Sequence, residues 1–469
     1  MSEGIVRRSV GLGFLGALFA RLGAAQPNWA VPDDAAIHRI LAERIDVQRQ
    51  GVGLVVGVVD AAGRRVVSHG VRAKGDARAL DGDTVFEIGS ITKVFTALLL
   101  SDMVARGEAA LDEPVAALLP PEVRVPERGG KAITLIDLAT HTSALPGLPT
   151  NFAPKDALNP YADYTVDQLH TFLGEYALIR DIGSRYEYSN LGAGLLGHAL
   201  SRRAGQSYEA LVATRITRPL GLKDTVITLS PAQRTRMAQG HDASGQPTPN
   251  WDLPTLAGAG ALRSTANDML TFLAAEMGLT ATPLRSAMDA QLVPRRPAGG
   301  PMAIALGWHV IKAGGREVVW HNGGTGGYRS FIGFDPKTRV GVVVLANLAN
   351  EVGGDDIGSH LLAGRPLAKL GPPPPVRVAV TLPSEQLAGL VGRYTFGPMG
   401  AMTITQEGGH LFAQLTGQPV AEVFAESPTR FFWRIVDAQL TFVIGPDGRA
   451  SDLILHQAGR DQRAKRADP

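Results

Sequence analysis

Cysteine is absent from the 469-residue chain. That excludes disulfides, a thiolate nucleophile, iron–sulfur clusters, cysteine-based zinc sites and the lipid-modified cysteine of a bacterial lipoprotein. An excess of one charge is also lacking. Forty-six Lys and Arg against 44 Asp and Glu leave a formal charge of +2. A nucleic-acid binder carries a basic stripe, and none is present. The one basic cluster, Arg460 to Arg466 with Lys465, reads as a solvated terminal charge run. The apolar run Val10 to Ala20 is cut by Arg21 before it is long enough to span a bilayer. No internal repeat is found. What is present is an ordinary globular balance, 45% apolar and 19% charged, in a chain long enough for more than one domain.

The N-terminus has the order of a secretory signal. Arg7 and Arg8 precede the apolar run, and Leu22-Gly23-Ala24-Ala25 supplies small residues for cleavage near Ala25. The expectation is a bacterial protein that is exported, periplasmic or secreted. The paired arginines hint at twin-arginine export, although Gly11 stands where a larger apolar residue is usual. Gly11-Leu12-Gly13-Phe14-Leu15-Gly16 is formally a GxGxxG. No strand precedes it and no βαβ unit follows, so it is not a dinucleotide site.

Hydrophobic patterning predicts a helix over 35–48, a hairpin of 53–59 with 65–68, and a buried helix over 90–106. Helices follow over 190–204 and 207–217, with another starting at Ser264-Thr265. Strand patterns return at 306–312, 317–320, 328–334 and 340–346. Strands at both ends with helices between them predict an α+β domain, one antiparallel sheet covered by helices. Gly371-Pro372-Pro373-Pro374-Pro375 then acts as a stiff extended spacer. Beyond it only short strands occur, among them 402–405, 410–414, 431–433, 440–443 and 452–455, which favours a small all-β barrel or sandwich. The expected division is a signal at 1–25, a catalytic domain at 30–366, a linker at 367–380 and a barrel at 381–469.

The chemistry concentrates in Gly89-Ser90-Ile91-Thr92-Lys93. A serine hydroxyl is a weak nucleophile and needs a base. On a helix, residues i and i+3 are neighbours, so Lys93 can reach Ser90, and the helix N-terminus favours developing negative charge. Taken alone, a Ser-x-x-Lys is more often an N-cap and a surface lysine. Three rarities change the weighing. Ser90 is the only serine with lysine three residues on, Tyr188-Ser189-Asn190 is the only Tyr-x-Asn, and His321-Asn322-Gly323 is the only His-x-Gly. Lys-Thr-Gly does not occur.

In that order these motifs resemble those of the class C β-lactamase-related serine hydrolases, which include β-lactamases, penicillin-binding peptidases, D-aminopeptidases and family VIII esterases. Phe86-Glu87-Ile88-Gly89, Leu138 to Pro146, Leu262 to Ala266 and Leu345-Ala346-Asn347 carry the resemblance further, over most of the first domain. It implies a β-lactamase/transpeptidase-like fold in which Ser90 forms an acyl-enzyme, Lys93 and Tyr188 share the proton work, and Asn190 binds Lys93 or the substrate amide. It also implies an oxyanion hole from the amides of Ser90 and Gly324, just past His321 and Gly323. His141 reads as structural and His456 as a barrel residue. Gly392-Arg393-Tyr394, Leu411 to Gln414 and Phe431-Phe432-Trp433 resemble the lipocalin-like C-terminal domains attached to some of these enzymes.

Two departures bear on substrate. β-Lactamases of this class usually carry lysine where His321 stands, and a histidine is mostly neutral at pH 7. Carboxylate recognition then weakens unless another cation helps, and Arg329 is the candidate. The loop after Leu145-Pro146 offers Gly147 and Leu148 in place of a glutamine. Both departures favour esters, short peptides or amides over cephalosporins, with weak β-lactam turnover still open. The expected partner is a small ester, amide, peptide or β-lactam, with no nucleic acid and no stable membrane span; assembly is left open. No metal or organic cofactor is implied. The competing readings are a true class C-type β-lactamase and a non-catalytic penicillin or ligand binder; the intact Ser90, Lys93 and Tyr188 set argues against the second.

Overall fold

The computed structural model describes residues 29–467 except 314, 351, 398–399, 417–419, 435–437 and 458–459. The expected signal and the Gly11–Gly16 motif lie outside the described residues. Contacts divide the chain into two compact units. One runs to Pro149 and resumes over Tyr164–Pro373; the other holds Pro374–Pro469 together with Thr150–Asp163.

The first unit is built on an antiparallel sheet. Its strands are β1 (Gly53–Asp60), β2 (Gly63–Ala73), β3 (Asp76–Ala79), and, after a separate pair β4 (Phe86–Glu87) and β5 (Arg263–Ser264), β6 (Arg296–Gly299), β7 (Met302–Ile304), β8 (His309–Ala313), β9 (Arg316–Gly324), β10 (Arg329–Asp335) and β11 (Val340–Ala346). Among the described residues nine of these form one sheet in the order β3-β2-β1-β11-β10-β9-β8-β7-β6. The ends of the sequence stretch thus meet inside it, where β1 pairs with β11 through Leu54↔Ala346 to Val59↔Gly341.

Helices cover both faces. On one, Ile37 and Leu41 of helix Asp34–Ala42 and Ile357 and Leu361 of helix Asp355–Ala363 share a core with Val56, Val58, Trp320, Phe331, Val342 and Val344. On the other, helix Ala266–Glu276 approaches β1 closely: a Cβ on Gly57 would stand 2.9 Å from a Leu270 methyl. Phe272 of that helix stacks on Phe95 at 4.5 Å between centroids, which brings in helix Thr92–Ala105. Its first twelve residues, Thr92 to Met103, are buried, because helices and sheet enclose it.

The second unit contains a closed barrel whose strands run in sequence order from β12 (Gly392–Thr395) to β19 (Arg460–Arg466). Side chains fill its interior: Tyr394, Phe431 and Phe442 pack edge to face, with Leu440, Leu453 and Ala464 fully buried. Residues 364–383 before it form neither helix nor strand, apart from the chain's link to the short helix Ser384–Ala388.

The basic tail corrects the sequence reading. Arg460–Arg466 is not a free charge run but the strand that closes the barrel, pairing on both sides. Of its residues only Ala464 is buried. Arg463 pairs with Asp452 at 3.0 Å, and the Arg466 guanidinium lies over the Tyr394 ring and donates to the carbonyls of Gly389 and Ala450. Strand β8 also starts later than the pattern predicts. Ala305 to Gly307 turn beneath the Thr92–Ala105 helix, where a Cβ on Gly307 would press within 2.8 Å of the Lys93 carbonyl oxygen.

Candidate active site

Ser90 lies in a single turn of 3-10 helix, Gly89–Ile91, leading into the Thr92–Ala105 helix. Gly89 has φ +48°, a conformation that disfavours a side chain. Its bare Cα also admits a close neighbour, since a Cβ there would stand 2.7 Å from the Gly324 amide nitrogen. Gly323 is constrained equally: its Cβ would fall on the carbonyl oxygen of Ile88. These glycines let the end of β9 close against the turn that carries Ser90. The sheet sets the position, with Gly323 opposite Ser330 and Gly324 opposite Arg329 on β10. Ser330 Oγ donates to Ile88 O at 2.8 Å and ties the same turn down.

Lys93 is 2% exposed, and its Nζ contacts three oxygens: Ser90 Oγ at 2.9 Å, Asn190 Oδ1 at 2.8 Å and Ala259 O at 2.7 Å. Two of these oxygens can only accept. Ser90 Oγ can accept from an ammonium or donate to an amine lone pair. Burial pushes the Lys93 pKa well below the ordinary lysine value, towards the second state. The Ala259 carbonyl is delivered by helix Ala257–Gly260, which nests against helix Asn190–Ala204; a Cβ on Gly197 would stand 2.9 Å from Gly258 Cα. Asn190 is the first residue of the latter helix, and Ser189 caps it by accepting from Gly192 N at 2.8 Å. Tyr188 lies just before that cap, with Lys93 Nζ 4.8 Å from its ring centroid.

Ser90, Lys93, Tyr188 and Asn190 are therefore in one cluster, with Gly323 and Gly324 against the Ser90 turn. His321 joins from β9, its ring 6.3 Å from that of Tyr188, but it is 0% exposed. Nδ1 lies 2.6 Å from Asn322 O, so Nδ1 carries the proton, and Nε2 has no protein partner. Burial, then His309 and Lys93, hold its pKa well below the usual histidine value. His321 is a neutral wall and not a cation. Arg329 reaches the site edge, where a Cβ on Gly324 would stand 2.9 Å from its Nη1. Its Nε donates to Asn350 O at 3.0 Å, and Nη1 to Thr325 O and Tyr328 O at 2.9 and 3.0 Å, so much of the guanidinium is engaged in holding the β9–β10 turn.

Three side chains near this cluster were not expected there. His309 on β8 bonds Tyr186 Oη at 2.8 Å and lies 5.2 Å from the His321 ring, its pKa pushed down to about 3 by burial and by Lys93. Nothing in a lone strand histidine signals this. Tyr186 sits two residues before the tyrosine of the motif. His141 packs 4.6 Å from the Tyr188 ring; its place in Leu138–Pro146 was the available signal. His456, by contrast, is on the barrel, bonded to Thr441 and Asp461. Among the described residues no three acidic or histidine side chains converge as a metal ion requires.

Residues 34–364 match the β-lactamase family model, more than half of the chain. The chain belongs to the β-lactamase family. It is a serine hydrolase. Residues 376–466 match a domain of unknown function, DUF3471. The D-alanyl-D-alanine-carboxypeptidase/endopeptidase AmpH of Escherichia coli (strain K12) is 30% identical over 73% of this chain and 94% of its own length. A β-lactamase of Pseudomonas fluorescens is 28% identical over 64% of this chain and 90% of its own. Among solved structures, the class C β-lactamase of Rhodobacter sphaeroides superposes with a TM-score of 0.58 at 29% identity, covering 68% of this chain and 95% of that one. The β-lactamase/D-alanine carboxypeptidase of Yersinia pestis gives 0.60 at 27%, covering 67% and 92%. Within the family fold, the helical cover and sheet enclose the Ser90 cluster, and no described helix is long and apolar enough to cross a membrane.

Proposed function

We propose that Ser90 is the nucleophile of an exported acyl hydrolase that acts on ester and amide bonds and turns over esters fastest. The observation that carries the assignment is the Lys93 amine, dry and bonded to Ser90 Oγ, Asn190 Oδ1 and Ala259 O together. With two carbonyl-type oxygens fixing two N–H bonds, the remaining lone pair of a neutral amine meets the Ser90 proton. Ser90 Oγ attacks the acyl carbon as its proton passes to Lys93 or Tyr188, and the amides of Ser90 and Gly324 receive the oxyanion. The tetrahedral intermediate then expels the alcohol or amine, which takes the proton from Tyr188. Water repeats the sequence on the acyl-enzyme, with Tyr188 as base.

The ester preference rests on His321. A buried neutral imidazole offers no charge to a substrate carboxylate. The peptidase reading has support of its own, since the Escherichia coli relative is described as a D-alanyl-D-alanine-carboxypeptidase/endopeptidase and Arg329 stands beside Gly324. Export is supported by the Arg7–Ala25 pattern. The filled interior of the barrel, lipocalin-like in our reading, argues against storage of an apolar ligand there.

The test is one substrate panel, a p-nitrophenyl short-chain ester, nitrocefin and D-Ala p-nitroanilide, each with the natural protein and with Ser90→Ala. Ester turnover should be fastest, Ser90→Ala should abolish it, and a stalled reaction should leave an acyl mass on the peptide containing Ser90. A nitrocefin rate above the ester rate reverses the substrate order; activity surviving in Ser90→Ala removes the nucleophile.

A further inference from the structure

We infer that His141 is a positioning residue for Tyr188, holding the backbone on both sides of it; this rests on the proposed role of Tyr188. Segments 140–147 and 183–191 lie side by side. Gly183 N donates to Thr142 O at 2.8 Å, and Leu191 N to Gly147 O at 3.1 Å, one contact at each end. Between them His141 makes two. Its carbonyl accepts from Glu187 N at 2.8 Å, and its ring Nδ1 accepts from Ser189 N at 3.2 Å. Tyr188 is the residue between those two amides. The same imidazole tilts 37° against the Tyr188 ring at 4.6 Å, with the Tyr186 ring at its edge, 5.7 Å away. Ser189 Oγ completes the fixation by donating to Pro146 O at 2.6 Å while it caps the Asn190–Ala204 helix.

The residue type follows from two requirements. The backbone at 141 is left-handed, φ +56°, a conformation in which His, Asn and Asp are enriched among non-glycine residues. The side chain must also present an acceptor one bond beyond Cγ, towards the Ser189 amide. Neutral histidine protonated on Nε2 satisfies both. An imidazolium would turn an N–H towards that amide, and burial at 3% exposure with Lys93 nearby opposes it. The bonds to either side fix where the Tyr188 ring stands relative to the Lys93 amine, the distance on which shared proton work depends.

Three substitutions separate this role from simple packing. Asn places its Oδ1 where Nδ1 stands and tolerates positive φ. Gln places its amide where Nε2 stands and leaves Ser189 N without its acceptor. Gly relaxes the backbone and removes the ring. With rates scaled to active sites titrated by acylation, His141→Asn should keep kcat on the p-nitrophenyl ester within about threefold. His141→Gln and His141→Gly should lower kcat by about tenfold or more at nearly constant KM. In a Tyr188→Phe background the same two changes should cost almost nothing further, because the residue they position has lost its function. Equal losses in both backgrounds, or a Gln variant as active as the Asn variant, would overturn the inference. Should the Gly variant fail to fold, the Asn–Gln contrast still decides. Ser90→Ala in the same assay reports separately on the nucleophile, so loss of the underlying reading is distinguishable from loss of this one.

Discussion

Two buried side chains of like exposure show how partners decide the behaviour of an ionisable group. Lys93 is 2% exposed and has three oxygens arranged around its nitrogen. Glu276 is also 2% exposed, yet neither carboxyl oxygen has a partner. The Arg285 guanidinium donates instead to the carbonyls of Ala275 and Glu276 and pairs with Asp289. Burial therefore pushes the Glu276 pKa from 4.5 up to about 8. The unfolded chain releases this proton near pH 4.5 and the folded protein only near pH 8. The protonated carboxyl thus favours the fold fully below pH 4.5, and that contribution is lost as pH rises to 8. Glu276→Gln, neutral throughout, should match the natural protein closely at pH 4.5 and exceed its melting temperature by several degrees at pH 8. Thermal denaturation across that range checks it; a constant difference at all pH values would show that the carboxyl does not titrate there.

At the scale of elements, the site is a junction between the end of β9 and the turn before the Thr92–Ala105 helix, and its tolerance is set by bare glycine. Gly323→Ala puts a methyl on the Ile88 carbonyl, backbone against backbone, so the strand must withdraw from Ser90. In the proposed mechanism the amide of Gly324 then leaves its place beside the Ser90 turn. Removing one oxyanion donor costs about 10²–10³ in kcat, and Gly323→Ala should lose a comparable factor while its circular dichroism spectrum stays native. An active Gly323→Ala variant would detach Gly324 from the chemistry. Local sequence made much of this junction legible. Ser90 and Lys93 are three apart across the turn that leads into one helix, and the apolar runs of β10 and β11 are bounded by turn residues. What was not legible depends on distant contacts. Strand β6 carries Pro297 and Gly299, with Gly300 in the turn to β7, a pattern that predicts no strand until β8 supplies a neighbour. Strand β19 reads as solvated charge because six of its seven residues are polar, and only the pairing to β12 and β18 turns Ala464 into core. His309 enters the site through sheet register alone, opposite Trp320 on β9.

At the scale of the whole molecule, the two units have separate hydrophobic cores, and the barrel satisfies its own strand hydrogen bonds by closure. Units with their own cores and their own satisfied backbone hydrogen bonds unfold as separate cooperative blocks. Calorimetry should therefore resolve two transitions. Leu440 is 0% exposed in the barrel core, and Leu99 is 0% exposed in the helix that follows Ser90. Truncating either to alanine removes buried methyl groups and leaves a cavity, costing about 2–5 kcal/mol in the block that contains it. Leu440→Ala should lower one transition and Leu99→Ala the other, each leaving its counterpart within a degree or so. Ester hydrolysis followed during the same heating ramp should be lost with the transition that Leu99→Ala moves, because Ser90, Lys93, Tyr188 and β9 all belong to that unit. A single transition lowered by both substitutions would mean that barrel and hydrolase unit fold as one cooperative body.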